Sequence, residues 1–445
     1  MLEKKVFGMI SLGCDKNRVD AERLLGLIRG RGYRVTADAA EANILIVNTC
    51  AFLESARKEA IETVLDCNAY RGGNLEKIVV SGCLPQKFIG ELFPALTEGD
   101  VFLGCGDADK LFDALERSYT EGRVNAVGQG KETDAPRVLT TPLHYAYLKI
   151  ADGCSNHCTY CLIPKIRGKY RSYPMEQLIA EAENLGELSE LILVAQDTTR
   201  YGEDLYGRRR LVDLIRALTA LENIGSVRLL YCYPDVIDDE LIEELARNEK
   251  LVKYLDIPLQ HSEDRVLKLM NRKGTRAEYA ALLEKLRARV PGIAIRSTFI
   301  AGFPTETEEE VLALASFLRE QKLDNCGFFA YSREPDTPAY KLKGQIPARE
   351  KQRRVKFLYK VQRELALSAQ KRRVGSVERV LCDGVDYERE YFVGRTYRSA
   401  PEIDGVVCFH AAEAQQGEWY DVKITRADAY DLYGETEDYK DESAQ

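Results

Sequence analysis

Short apolar runs and amphipathic stretches take turns along the first 120 residues. The apolar runs fall at 6–13, 44–48, 78–81 and 101–103, and stretches with helical spacing follow them at 19–29, 55–70, 86–96 and 108–119. Uninterrupted apolar runs alternating with a 3.6-residue period predict strands buried on both faces and connected by crossover helices. The first region is therefore expected to be an open parallel α/β sheet.

A polar, glycine-containing stretch at 121–141 breaks the pattern and reads as a linker. The alternation then resumes on a longer scale. Strands are predicted at 145–151, 190–196, 227–231, 254–259, 294–300 and 325–331, with helices at 175–185, 211–221, 239–247, 276–289 and 307–320 between them. Successive βα units of this length predict a partial or complete TIM-like barrel. A basic helix is predicted over 348–373, and five short strands at 377–382, 391–397, 406–409, 419–425 and 429–432 predict a small OB-like β-barrel. The expected division is thus a first domain at 1–120, a linker at 121–141, a barrel core with its trailing helix at 142–373, and a terminal β-module with an acidic tail at 374–445.

With 45% hydrophobic and 30% charged residues in 445, the composition is that of a folded globular chain. No apolar run reaches the roughly 18 residues of a membrane span. Lys4 and Lys5 before the run at 6–13, which ends at Cys14, faintly resemble a lipoprotein leader. Asp15-Lys16-Asn17-Arg18 follows at once, and a buried first strand is the better reading. A cytoplasmic protein is expected, and nothing in the pattern marks an obligate dimer, so a monomer is expected too. Twelve cysteines without an export signal are then thiols available as metal ligands, not a disulfide framework.

Gly153-Cys154-Ser155-Asn156-His157-Cys158-Thr159-Tyr160-Cys161 follows directly on a predicted strand. Three thiolates on one short loop can hold three irons of a cube and leave the fourth open. Zinc is the competing reading, but it usually takes two CxxC clips or paired histidines, and His157 has no partner at such spacing. Three further cysteines each end a predicted strand: Gly13-Cys14, Thr49-Cys50 and Gly82-Cys83. In a parallel sheet all strand C-termini lie on one edge, so these residues can converge. Buried core cysteines are the bland alternative; three in succession at one edge favour a cluster. Cys105 ends the fourth run and is either a fourth ligand or a bystander. Cys67, Cys232, Cys326, Cys382 and Cys408 sit singly on apolar elements and read as packing residues.

The C-x-x-x-C-x-x-C triplet resembles the signature of the radical S-adenosylmethionine superfamily. With both cysteine sets and the terminal β-module, the chain resembles that superfamily's methylthiotransferases along nearly its whole length. It is most similar to the branch that modifies an aspartate β-carbon of small-subunit ribosomal protein S-twelve. The residues that carry this are Ser11-Leu12-Gly13-Cys14-x-Lys16-Asn17-x-x-Asp20, Asn48-Thr49-Cys50-Ala51-Phe52, Ile150-Ala151-Asp152-Gly153-Cys154, Ala195-Gln196-Asp197-Thr198 and Tyr231-Cys232-Tyr233-Pro234. Asp15 departs from that pattern, which usually has proline there, and Cys105 stands where no cysteine is expected.

The resemblance implies a radical 4Fe–4S cluster on Cys154, Cys158 and Cys161 and an auxiliary 4Fe–4S cluster on Cys14, Cys50 and Cys83. It implies two molecules of S-adenosylmethionine per turnover, one cleaved to a radical that abstracts hydrogen from an unactivated C–H bond, and a terminal TRAM module. Tyr160, Gln196, Asp197, Gln260, Arg296, Ser297, Gly302, Phe303 and Pro304 would contact S-adenosylmethionine. Read without the resemblance, Gln260 and Asp197 are also ordinary strand caps, and Gly302-Phe303-Pro304 an ordinary loop closure. An electron donor and a sulfur donor are implied, and the sequence identifies neither.

Charge bears on the substrate independently. The chain carries a net −8, and residues 374–445 hold 7 Lys or Arg against 17 Asp or Glu. An acidic module repels RNA phosphates and attracts a basic protein. The basic helix at 348–373 points the other way, and the run 435–445 also reads as a solvated tail. Alternative readings are a tRNA adenosine methylthiotransferase and a non-enzymatic iron–sulfur carrier.

Overall fold

In the computed structural model, which describes residues 2, 4–128, 130 and 135–439, the apolar runs of the first region become one parallel sheet. Its strands are β1 (Val6–Ser11), β2 (Arg34–Thr36), β3 (Ile44–Thr49), β4 (Lys77–Gly82), β5 (Val101–Phe102) and β6 (Val124–Asn125), in the order β2-β1-β3-β4-β5-β6. Central β3 is buried along its whole length, as a strand covered by helices on both faces must be. The edge strands β2 and β6 were not expected, because three and two residues are too few to show a period. β6 extends the sheet into the segment expected to be linker. The later part of that segment returns to the first helix, Asp15–Gly30. There Glu22 accepts from Arg137 (2.6 Å) and from the Thr140 amide (2.8 Å) and hydroxyl (2.9 Å), while Arg137 and Arg23 both pair with Glu181 of the next domain (2.7 and 2.9 Å).

The second sheet is made of β7 (Tyr145–Lys149), β10 (Glu190–Val194), β11 (Val227–Leu229), β12 (Leu251–Asp256), β13 (Ala294–Ala301) and β14 (Asn325–Ala330). The short pair β8 (Ala151–Asp152) and β9 (Arg171–Ser172) brackets the cysteine loop. The six long strands are parallel in the order β14-β13-β12-β11-β10-β7, so the TIM-like expectation resolves into an open six-stranded barrel. Helices cover its outer face. Its concave side is closed by neighbours: Val19 from the first helix and Ala400 from the last domain pack against Tyr147, Ile192 and Tyr254.

The last domain is a closed barrel of β15 (Val377–Asp386), β16 (Tyr391–Arg395), β17 (Val407–His410), β18 (Trp419–Ala427) and β19 (Leu432–Thr436). The final strand starts later than the sequence pattern suggests. Asp428 accepts from the amides of Tyr430 and Asp431 at 2.8 Å each and so turns that stretch back. Residues 440–445 of the acidic tail lie outside the described residues. The basic helix forms over Ala348–Lys371 and packs on β14 and on the helix Glu308–Gln321. Its Arg354 is buried against Glu306 (2.8 Å), which removes part of its charge from solvent.

Several carboxylates of the acidic module also face inward. Glu402 takes both arms of Arg18 at 2.9 Å, Asp404 accepts from the Tyr254 hydroxyl at 2.6 Å, and Asp383 pairs with His144 at 2.7 Å. Glu190 of β10 is enclosed between Arg228 and Arg395. Burial pushes its carboxyl up, but the two guanidinium groups together outweigh burial and hold it below the usual range. Its stabilising contribution is therefore complete above the unfolded value of about 4.3 and is lost as pH falls through the lower folded value. Glu190→Gln removes the charge that two buried guanidinium groups share, leaving Arg395 with Asp383 (3.1 Å) and Arg228 with the Tyr397 carbonyl (2.9 Å), and is expected to cost about 3 kcal/mol at neutral pH. The variant should also lose less than the parent between pH 5 and pH 3. Urea unfolding across that range checks both, and parallel acid slopes for the two proteins would contradict the assignment.

Candidate active site

The first three cysteines stand just past the C-terminal ends of β1, β3 and β4. Cys14 precedes the helix Asp15–Gly30, Cys50 follows Thr49, and Cys83 opens the helix Cys83–Ala95. The turns that carry them are pressed together. At Gly13 (φ +96°) an added Cβ would stand 2.8 Å from the Cys50 Cβ, and at Gly82 (φ +98°) one would stand 2.7 Å from the Thr49 carbonyl. Both positions need glycine for backbone conformation and for space. Side chains lace the turns: Asn17 donates to the Leu12 carbonyl (2.6 Å), Asn48 to the Asn17 carbonyl (2.7 Å), and Thr49 to the Ser81 carbonyl (2.6 Å). Burial, with Cys14 and Cys83 nearby, pushes the Cys50 thiol up to about 11. Cys14 is exposed, so the group opens toward solvent on one side.

Cys105 lies with its Sγ 3.6 Å from that of Cys83 and donates to it. Cys105 thus stands on the same edge as the other three cysteines, in contact with Cys83. The hydrogen bond from Cys105 lowers the Cys83 thiol despite burial, and Arg167 lowers it further. Among the described residues no three Cys, His, Asp or Glu side chains gather as tightly as a single ion requires. The donor set on this edge, thiolates from separate turns, suits a larger inorganic group.

The central loop is shaped from both ends. Gly153 has φ +75°, and a Cβ there would stand 2.2 Å from the Lys169 carbonyl. His157 also takes a left-handed conformation (φ +53°), its carbonyl held by Asn271 at 2.9 Å. Asn156 donates to Asp197 at 2.7 Å, and the Thr159 amide donates to the Met270 carbonyl at 3.0 Å. Cys154, Cys158 and Cys161 thereby share one turn, with the Tyr233 hydroxyl 3.3 Å from the Cys158 Sγ. Burial pushes the Cys154 thiol up to about 11.

The other sequence-predicted contacts divide. Tyr160 and Phe303 belong to one buried apolar cluster beside the loop, with Gly302 (φ +76°) turning the chain there and Pro304 following. Gln196 donates to Asp152 at 3.1 Å, and its Oε1 is buried without a partner among the described residues. Asp197 is occupied by Asn156, Thr199 (2.6 Å) and Arg200 (3.1 Å), so it braces the loop. Gln260 is left-handed (φ +71°), and its backbone bridges to Phe299. Arg296 and Ser297 lie within β13, Arg296 in register with Asp256, the last residue of β12. Arg296 pairs with Asp256 (2.9 Å) and Asp404 (3.3 Å). Ser297 is buried and donates to the Ile257 carbonyl at 2.8 Å.

The two cysteine-bearing edges meet. Leu162 and Ile166, just past Cys161, lie in the apolar core of the first domain. Asp20 of that domain pairs with Lys149 and Arg167 of the second, and Asp152 joins both. Tyr231 (φ +60°) reaches Asp15 with its hydroxyl at 3.0 Å and lies under the Lys16 ammonium at 3.1 Å from the ring centre. The sequence pattern named Tyr231 only as part of a motif and missed Arg167 altogether. A charged residue closely following three cysteines was the available signal.

Profiles of the Radical SAM superfamily, the TRAM domain and "Uncharacterized protein family UPF0004" match residues 148–318, 374–436 and 6–104. Among curated proteins, "Ribosomal protein uS12 methylthiotransferase RimO" of Acetivibrio thermocellus is 45% identical over 97% of this chain and 98% of its own length. The protein of the same name from Lachnoclostridium phytofermentans is 44% identical over 97% of this chain and its full length. The chain belongs to the RimO family. Solved structures share the fold: the radical S-adenosylmethionine methyltransferase TsrM of Kitasatospora setae, with cobalamin and a 4Fe–4S cluster, has a TM-score of 0.53 at 16% identity, covering 76% of this chain and 77% of its own. OxsB, a cobalamin-dependent radical enzyme, has a TM-score of 0.52 at 12% identity, covering 81% of this chain and 56% of its own.

As a member of the RimO family with a radical SAM domain, the chain uses an iron–sulfur cluster and S-adenosylmethionine. Gly153 tests how the loop is built for that cluster. Gly153→Ala adds a backbone clash to about 1–3 kcal/mol of left-handed strain. Anaerobically reconstituted variant should lose as much iron and sulfide as Cys158→Ala does. Gly207→Ala, equally left-handed but facing open space, should lose none; equal iron in all three would contradict this reading of the loop.

Proposed function

We propose that this chain methylthiolates the β-carbon of an aspartate in small-subunit ribosomal protein uS12. The observation that carries the reading is that two cysteine triplets, from two parallel sheets in a chain of the RimO family, end on facing edges. Cys154, Cys158 and Cys161 would hold the radical 4Fe–4S cluster, and Cys14, Cys50 and Cys83 an auxiliary one. When bound, these groups supply one-electron cleavage of S-adenosylmethionine and a sulfur for insertion, with two S-adenosylmethionine molecules consumed per turnover.

The chain's own residues do the rest. Tyr160, Gly302, Phe303 and Pro304 form an apolar wall that keeps water from the reacting carbon. Gln196, whose buried Oε1 has no partner among the described residues, offers an acceptor to the bound S-adenosylmethionine. Asp197 holds Asn156, and so the cysteine loop, in place. Residues 1–120 carry the auxiliary site, 142–373 the radical site, and 374–445 the module that grips the substrate, with Arg137 and Thr140 of the linker at 121–141 tying the first two together. The module's outward carboxylates, such as Glu388, Glu390 and Glu413, favour a basic protein over RNA. A monomer acting in the cytoplasm, on uS12 free or within the ribosomal subunit, fits this arrangement. Among the described residues no helix is long and apolar enough to cross a membrane.

Anaerobic incubation with uS12 and with tRNA, followed by mass spectrometry, tests the reading. A methylthio increment is expected on the aspartate and none on tRNA. Cys158→Ala should abolish 5′-deoxyadenosine formation. Cys50→Ala should retain it while yielding no methylthiolated protein. Product on tRNA alone, or no nucleoside from the parent enzyme, would overturn the assignment.

A further inference from the structure

Arg167 belongs to the second domain by sequence but ends in the first. It follows the short helix Ile163–Ile166 just after the cysteine loop and is 5% exposed. One guanidinium arm, Nη1, donates to both oxygens of Asp152, at 3.0 and 3.3 Å. The other, Nη2, lies 2.8 Å from Asp20, 3.3 Å from the Asn17 side-chain oxygen and 3.6 Å from the Sγ of Cys83. Asp152 in turn accepts from the Gly153 amide at 2.8 Å, at the root of the loop that bears Cys154. A single cation therefore touches a cysteine of one triplet and the base of the other.

We propose that Arg167 is a positioning residue that sets the reduction potential of the auxiliary cluster through Cys83. This inference rests on the reading that Cys14, Cys50 and Cys83 hold such a cluster. A fixed positive charge donating to a ligand sulfur stabilises the electron-rich state, because that sulfur carries part of the added charge. The water-poor surroundings make the effect larger than at a surface. The forked, planar guanidinium is suited to reach two carboxylates and a sulfur at once, which a lysine ammonium is not. The same residue that fits the two edges together thus biases the electron affinity of one of them.

The test uses the full-length chain with Cys154, Cys158 and Cys161 all changed to alanine, reconstituted with iron and sulfide, so that only the auxiliary cluster is present. Its midpoint potential is followed by EPR-monitored titration. Arg167→Gln is expected to lower the reduced-to-oxidised ratio about tenfold at the parent midpoint, equivalent to about 59 mV for one electron. Arg167→Lys should recover part of that loss. Asp152→Asn, which removes a countercharge and leaves the sulfur contact, should move the midpoint the opposite way, and it decides the matter if Arg167→Gln does not assemble a cluster. An unmoved midpoint in variants that hold the cluster overturns the proposal alone. Absence of any cluster in the triple-alanine parent overturns the reading beneath it as well.

Discussion

Four charges hold the two sheets edge to edge: half-buried Asp20 from the first domain and buried Lys149, Asp152 and Arg167 from the second. None of them is stable in a dry interior alone. They persist because each cation has two carboxylate partners and each carboxylate two cations, an arrangement that exists only when both domains are in place. That constraint fixes which edge of each sheet faces the other. In both cases it is the C-terminal edge, where the strands deliver their functional residues.

The rest of the molecule supports this juxtaposition. The first helix lends Val19 to the concave side of the open barrel, and the last domain closes the same side with Ala400. An open six-stranded sheet leaves its inner face exposed unless another part of the chain covers it, and here two domains share the task. The glycines before Cys14, Cys83 and Cys154 serve the same end at atomic scale. Each lets a turn approach neighbouring backbone or a neighbouring cysteine more closely than a Cβ would permit.

Much of this was legible in the sequence, because strand–helix alternation and cysteines at strand ends are local signals. The long strands, the terminal barrel and the placing of both cysteine triplets just past strand ends follow from local pattern. What failed to show was non-local. β2 and β6 are too short to carry a period. Arg296 and Ser297 are named by the family resemblance, and the partners that hold them, Asp256 and Asp404 for one and the Ile257 carbonyl for the other, come from distant parts of the chain. The acidity of residues 374–445 also overstates the charge offered to a partner, since Glu402, Asp404 and Asp383 are spent on Arg18, Arg296 and His144. Arg167 shows its importance only when the fold brings Cys83 to it.

The central claim is that two metal-binding edges face one space across a single layer of charged side chains. Pulsed EPR on the reduced, fully reconstituted chain measures this most directly, through the dipolar coupling between two paramagnetic clusters. The account predicts a coupled pair whose interaction vanishes in Cys50→Ala and in Cys158→Ala. Two uncoupled signals, or a single signal that survives both substitutions, would contradict it.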